Sequence, residues 1–382
     1  GNYTCPIRKD DLANGIEALV KEREPTVLAI PEAVMLDTLD DCMAVQQAAL
    51  RHCGLTMKNR VAILDVFNGD KEVAENPIGN FRSKLGVDFL GYGAAYYPWL
   101  NTTVASPRDF GFANINQANE LKTLIAQELK GGTPEQQAEL AKIAWSDREW
   151  TTEAARQNAS GADLKRRLGQ TLAAMSQRYR SLVEQMAAIV NVLPPSAALA
   201  GVYTRVDAER GVWKAPANVS LAAVASPTVD VTQYDQEDMN VTATGKSVNA
   251  LRSFVGEGLL VWGARTLDGN SLDWRYINVR RTIIMLEESI RLAAKPYVFE
   301  PNLATTWVTV KRMIRDFLTG IWKKGGLAGA VPDDAFQVLV GLGETMTPED
   351  ILEGILRVSV LVAISRPAEF VEITFQQQMQ KS

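Results

Sequence analysis

Histidine is almost missing from this chain. Its 382 residues include one, His52, and three cysteines, Cys5, Cys42 and Cys53, none of them in a CxxC pair. A Ser-His-Asp or Cys-His site would have to be built on His52. The neighbouring Cys53 points to another side of the same helical segment, so the two form no dyad. There is no GxSxG elbow. Carboxylates without DxDxDG or HExxH spacing, one histidine and scattered cysteines assemble no zinc or calcium shell. His52 is therefore expected to be a surface or partly buried residue near a helix end. The odd cysteine count fits a reducing compartment during folding.

Long apolar runs are lacking too. No stretch approaches the length that spans a bilayer, and no basic-then-apolar leader opens the chain. Positive charge is not in excess: 40 Lys and Arg against 45 Asp and Glu give −5, which exerts no overall pull toward nucleic acid or anionic lipid. The chain opens Gly1-Asn2-Tyr3-Thr4-Cys5 without a methionine, and an incomplete N-terminus is the expectation. The length suffices for two or three packed domains.

A phosphate loop is half present. Residues 240–247 (Asn-Val-Thr-Ala-Thr-Gly-Lys-Ser) end like a P-loop, but the motif needs glycine where Asn240 stands. The acidic residues Asp235, Glu237 and Asp238 occupy the place of an apolar lead-in strand. Without the glycine turn the backbone amides cannot cradle a phosphate. Gly341-Leu342-Gly343-Glu344 reads as a turn, with an acid where a phosphate would sit. The sequence points to no enzyme and no cofactor.

Hydrophobic patterning organises what is there. Asp10 and Asp11 are placed to cap a helix through Ile16, Leu19 and Val20. Residues 25–31 read as a short, fully apolar strand bounded by prolines and 60–66 as a second apolar strand ending at an acidic residue, and residues 40–53 between them have helical spacing. This predicts a parallel sheet covered on both faces, joined by a right-handed crossover. Residues 102–192 shift to Ala, Gln, Glu, Leu and Lys/Arg, predicting two or three helices, the last a long one over 162–190. From about residue 240 a third region follows. Helices are predicted over 280–295 and 306–324, a short strand over 335–343, and a helix start at Thr347-Pro348. Alternating strands are predicted over 356–364 and 370–375. Helices beside an antiparallel sheet make this region α+β.

The third region is basic, with Arg275, Arg280, Arg281, Arg291, Lys295, Lys311, Arg312, Arg315, Lys323 and Lys324. Trp307, Phe317 and Trp322 fall on the apolar side of their helix and are expected to fill a core, so an acidic protein partner suits this face better than nucleic acid. Residues 366–382 could close the domain's own sheet or add to a neighbour's edge. Fully extended they reach about 50–55 Å. The pattern alone favours closure at home and leaves the other reading open.

Several longer words of this sequence occur together in one family. They include Phe81-Arg82, Tyr92-Gly93-Ala94-Ala95-Tyr96-Tyr97-Pro98-Trp99, Pro194-Pro195-Ser196-Ala197 and Arg210-Gly211-Val212-Trp213-Lys214-Ala215-Pro216. Further along stand Val261-Trp262-Gly263-Ala264-Arg265-Thr266-Leu267, Trp274-Arg275-Tyr276-Ile277-Asn278-Val279-Arg280-Arg281, Phe299-Glu300-Pro301-Asn302 and Arg366-Pro367-Ala368-Glu369-Phe370. In these words and their order the chain resembles the contractile tail-sheath proteins of phage tails, R-type pyocins and extracellular or type VI-like injection systems.

The resemblance implies an α/β plus α+β architecture. A subtilisin-like α/β domain without catalytic residues would comprise 1–101 and 193–239, with a helical insertion at 102–192. A C-terminal sheath domain, 240–365, would form the inner wall of a hollow polymer, and 366–382 would be a strand-exchange arm. That reverses the preference for a last strand paired at home and makes Phe370, Val371, Ile373 and Phe375 the expected inter-subunit arm. The family's N-terminal arm is expected to be absent from this chain. Lys311, Arg312, Arg315, Lys323 and Lys324 become the expected contacts to an inner tube. The implied function is that of a structural subunit in six-fold rings that contracts from a metastable extended state. Its implied partners are copies of itself, the tube protein, and baseplate and terminal cap proteins, with no nucleic acid and no membrane insertion. Assembly is expected in a bacterial cytoplasm, in a particle released or kept anchored. A phage tail sheath is the nearest alternative, and a hydrolase on a subtilisin-like fold the remote one.

Overall fold

The computed structural model describes residues 7–130, 132–240 and 245–369. In chain order α1 (Lys9–Ala18), β1 (Val27–Ala29), α2 (Leu39–Arg51), β2 (Val61–Asp65), α3 (Pro77–Lys84) and β3 (Gly93–Tyr97) come first. Strand β4 (Leu100–Thr102) leads into α4 (Ala118–Glu128), α5 (Pro134–Ala141), α6 (Asp147–Gln157), α7 (Gly161–Met175), α8 (Gln177–Val190) and β5 (Val192–Leu193). Next are α9 (Ser196–Arg210), β6 (Val219–Ser220), β7 (Val224–Pro227), α10 (Gln233–Asn240), β8 (Asn249–Phe254) and β9 (Gly258–Trp262). The series continues with α11 (Ile277–Ala294), α12 (Ala304–Lys323), α13 (Pro332–Ala335), β10 (Phe336–Leu339), α14 (Pro348–Leu352) and β11 (Ser359–Val362). Two compact units result: Gly1–Pro98, Pro194–Ala222 and Val229–Ser382 form one, and Trp99–Leu193 with Ala223–Thr228 the other.

The first unit is built on a six-stranded sheet of order β1-β2-β3-β8-β9-β6. β1, β2, β3 and β8 run parallel, with Val27 opposite Val61, Ala62 opposite Gly93 and Tyr96 opposite Asn249. Every residue of β2 and β3 is buried, which explains why apolar residues run on along them rather than alternating, up to Asp65 at the end of β2. Helix α2 crosses between β1 and β2. The Thr38 hydroxyl accepts from the Asp41 N–H at its start, and Cys42, Met43, Val45, Ala49 and Leu50 are buried. Asp10 and Asp11, expected as caps, instead lie inside the first turn of α1. The Arg8 guanidinium holds Asp11 at 2.9 and 3.0 Å, and acids in this position complement the helix dipole.

A boundary at 239/240 does not separate two domains. Strands β8 and β9 pair antiparallel with each other and extend the α/β sheet. They escaped the sequence pattern because Asn249, at the head of β8, is fully buried. Its amide donates to the carbonyls of Ala95 and Arg265, and its oxygen accepts from the Arg265 N–H. The same unit also holds an α+β layer, where α12 packs on the antiparallel pair β10–β11. Leu286, Val310, Ile314, Leu318, Ile321, Phe336, Val338 and Met346 form its core. Trp307, Phe317 and Trp322 are only partly buried at the margin of that core. Thr347 and Asp350 make a reciprocal capping box at α14, which is the start expected there.

The second unit is helical over a short sheet of order β5-β4-β7. Among the described residues it contains five α-helices, α4 to α8, instead of two or three. The long helix expected over 162–190 is broken at Ser176, which adopts φ −126° and ψ 121° and starts α8. Its hydroxyl accepts from the Tyr179 N–H and donates to the Glu128 carboxylate. Glu128 also accepts the N–H groups of Gln177 and Arg178. A serine between two amphipathic stretches here acts as an N-cap rather than a mid-helix residue.

At the carboxyl end of β2, Asp65 is buried and accepts from the first N–H of α9, at Ser196, 2.8 Å away. Burial pushes its acid up to about 7; the Ser196 bonds oppose the shift and Glu32 adds to it. A folded-state value above the unfolded one means that the native state holds the proton more tightly. This group's contribution is therefore complete at low pH and is lost as pH rises toward 7. Urea titrations should show wild type losing stability relative to Asp65→Asn from about pH 4 to about pH 7. Asp65→Asn should flatten that window and be the more stable protein at pH 8.

Candidate functional site

The residues that sequence reading weighed for chemistry are turned inward. His52 is 4% exposed, so it is buried, not at the surface. The reason is that α2 runs on as a wider turn, His52–Met57, which tucks His52, Cys53 and Gly54 under the sheet. Its Nε2 faces Arg60 Nη1 at 3.3 Å, and burial, then the Arg60 charge, push its pKa down. A neutral imidazole accepting from arginine is the consistent state. Arg60 is 1% exposed and also donates to the Leu19 and Glu22 carbonyls. Burial raises the Cys42 and Cys53 thiols to about 12, so neither is a nucleophile.

The lysine of the half-formed phosphate loop is likewise committed. Lys246 Nζ donates to the Arg82 carbonyl at 2.6 Å, and the Ser247 hydroxyl donates to the Asn240 carbonyl. Arg82 answers by donating to the carbonyls of Lys246, Asp238 and Met239. These contacts sew α3 to the strand lead-in more than 150 residues away. The basic cluster also divides. Arg280 lies between the rings of Trp274 and Tyr92, at 3.5 and 4.2 Å from their centroids. Arg281 pairs with Asp207 over the Tyr203 ring, and the Tyr203 hydroxyl meets that of Tyr96 at 2.7 Å. Arg281 is buried and Arg280 half-buried between its two rings, so both are committed to contacts within the unit.

On α12 the charges do face out. Val310, Ile314, Leu318 and Ile321 are its buried stripe, and Arg312, Arg315 and Lys323 project from the opposite side. Lys311 is paired with Glu344, Arg312 with Asp316 and Arg315 with Asp333, all at least partly exposed. Such pairs contribute about 0–1 kcal/mol each and can be exchanged for others. Lys323 and Lys324 are exposed at the carboxyl end of the helix.

Strand β11 carries the second candidate surface. β10 covers one of its edges, and beyond it the Ala363 carbonyl accepts from the Ala328 N–H. The Ala363 N–H donates to the Ala335 carbonyl, so by antiparallel alternation Val360 and Val362 turn their backbone groups the other way. Among the described residues no strand meets that edge. An open edge is a template for another strand. Phe370, Val371, Ile373 and Phe375 lie outside the described residues.

The chain is tied down just before them. Glu369 accepts from Arg265 Nε and Nη2 at 2.8 and 2.7 Å and from the Tyr276 hydroxyl at 3.0 Å. Arg265 is 4% exposed, and its Nη1 donates to the Asn240 carbonyl at 2.9 Å. No sequence signal marks a pair 104 residues apart.

Residues 270–378 match the family model of the phage tail sheath C-terminal domain. Over 135 residues the chain is 25% identical to a prophage major tail sheath protein of Pseudomonas aeruginosa, covering 35% of this chain and 34% of that protein. The chain thus spans about a third of the length of this relative. Two solved structures are similar over nearly the whole chain. One is the anti-feeding prophage helical sheath in its contracted state, 28% identical, covering 98% of this chain and 76% of the other at TM-score 0.61. The other, from the six-fold symmetrised baseplate of the same particle, is 29% identical, covers 98% and 75%, and has TM-score 0.62.

The imidazole at position 52 serves as an acceptor for Arg60, so its loss is a matter of stability. His52→Ala should cost about 1–3 kcal/mol in chemical denaturation. His52→Gln, which keeps an acceptor, should cost less.

Proposed function

We propose, because this chain belongs to the contractile tail-sheath family, that it is a structural subunit which polymerises with its own copies around a rigid inner tube and contracts. The observation that carries this is the similarity to the contracted anti-feeding prophage sheath over 98% of the chain. We favour an injection particle over a phage tail, because the solved sheath that is similar over 98% of the chain comes from the anti-feeding prophage particle. Subunits would stack in six-fold rings, joined to a baseplate at one end and a cap at the other. Assembly would take place in a bacterial cytoplasm, in a particle later released or kept anchored. No reaction is assigned to the chain, and no cofactor.

In this reading the outward face of α12 meets the tube. Arg312, Arg315, Lys323 and Lys324, together with Lys311, offer cations to an acidic surface, and their weak local pairs are readily exchanged. The open edge of β11 receives a strand from a neighbour, and the residues after Glu369, including Phe370, Val371, Ile373 and Phe375, supply such a strand to another copy. The inner wall would then be the α+β layer, with the α/β sheet outside it.

Contraction needs no nucleotide. An extended lattice held by the tube and baseplate relaxes when released, as subunits rotate as rigid bodies into closer contact. About 100 Å² of added apolar burial per subunit is worth about 2.5 kcal/mol, and a sheath sums this over many copies.

Negative-stain microscopy of the complete protein, co-expressed with its tube protein, should show striated hollow cylinders; discrete monomers under those conditions would refute the reading. Arg312→Glu with Arg315→Glu should reduce tube-templated assembly several-fold, with the deficit growing as salt is lowered because like charges then repel more strongly. Unchanged cylinder yield across that salt range would remove α12 from the tube interface.

A further inference from the structure

The ion pair between Arg265 and Glu369 ties the last described residues to a part of the chain 104 residues earlier. Segment 363–369 leaves β11, crosses to the connection between β9 and α11, and ends on Arg265. On the way the Asn278 amide donates to the Ser365 carbonyl at 3.4 Å, and Arg366 lies 3.7 Å from Asp273 on the surface. The first is long and partly buried, the second long and exposed. The Glu369 carboxylate is different: it is 16% exposed against an arginine that is 4% exposed, engages the Nε–Nη2 edge of the guanidinium with both oxygens, and takes a third bond from Tyr276. Bidentate charge-assisted contacts fix geometry as well as adding energy.

Arg265 is itself immobilised. Its backbone N–H and carbonyl are both bonded to the Asn249 side chain within β8, and its remaining guanidinium nitrogen is bonded to Asn240. A pull applied to the chain beyond Glu369 is therefore delivered onto the six-stranded sheet and not onto the two-stranded β10–β11 pair. Antiparallel pairs of four residues separate far more readily than a buried sheet does.

We infer that Arg265 and Glu369, with Tyr276, form the anchor that fixes where the exchanged C-terminal strand departs and how much free chain it has. The inference rests on the strand-exchange reading above and adds positioning residues to it. Released at Glu369, the free chain would begin near Ser365 and gain four residues, about 13–14 Å of slack. The anchor thus acts as a length gauge: neighbouring subunits can separate only as far as the shorter tether allows.

The test uses the complete protein in three forms: Glu369→Gln, Tyr276→Phe, and a chain ending after Glu369. Amide exchange in the free subunit reads the anchor directly. Peptides covering 364–369 should exchange at least tenfold faster in Glu369→Gln and a few-fold faster in Tyr276→Phe, while β2, β3 and β10 exchange as in wild type. Assembled sheaths of Glu369→Gln should show a broader spread of ring spacing. Wild-type exchange at 364–369 together with wild-type ring spacing would overturn the anchor. If Glu369→Gln loosens β2 and β3 as well, the pair is a core element, and Tyr276→Phe decides: no local change there also overturns it. The chain ending after Glu369 separates the two ideas. If it polymerises normally, strand exchange itself fails; if it does not polymerise while Glu369→Gln behaves as wild type, only the anchor fails.

Discussion

An arginine taken out of water must bring its acceptors with it, and the unit built on the six-stranded sheet depends on that constraint. Arg60, Arg82, Arg265 and Arg281 are each less than a tenth exposed. None sits in a site for chemistry. They spend their forks on backbone carbonyls, on a carboxylate elsewhere in the chain and, for Arg60, also on the His52 ring, and so join segments that the sheet alone leaves loose. Removing an acceptor would leave a buried charge uncompensated, which costs far more than the intact contact contributes. The connections therefore hold as rigid pieces. Rigidity is what a subunit needs if it is to move as a body while its contacts with neighbours rearrange.

Where local pattern decided structure, the sequence was legible. The two apolar strands and the intervening helix form the parallel β1–α2–β2 unit. The apolar stripe of α12 faces a core, and Thr347 caps α14. Elsewhere a polar residue did the work of an apolar one. Asn249 sits inside β8, which hid a central strand and misplaced a domain boundary. Ser176 ends one helix and starts another because Glu128, 48 residues earlier, receives it. The arginine partners are farther still, and the basic cluster read as one surface separates into internal cations and the outward face of α12. Spacing along the chain carries no information about carbonyls that meet only after folding. The family's words around Arg265 and Glu369 were visible, but the bond between them was not.

Two surfaces remain unsatisfied within one subunit. The outer edge of β11 presents backbone groups without a strand partner among the described residues, and the α12 face carries cations on weak surface pairs. Both defects are of the kind that a polymer corrects: one by a donated strand, the other by an opposing acidic wall. In the proposed polymer, strand exchange would hold the mesh together through a rigid-body change of lattice, because hydrogen-bonded strands keep their registry while side-chain faces slide. The anchor at Glu369 would place the donated strand at a defined distance from the sheet that bears the load.

The central claim is that the β10–β11 sheet is completed by another copy of the chain. A density map of the assembled sheath, at a resolution that traces the main chain from Ser365 onward, tests it most directly. The account predicts that the strand hydrogen-bonded to the free edge of Val360 and Val362 belongs to a neighbouring subunit, and that the chain after Glu369 leaves its own subunit. A map in which that edge is filled by the same subunit's chain, or left bare, would contradict it.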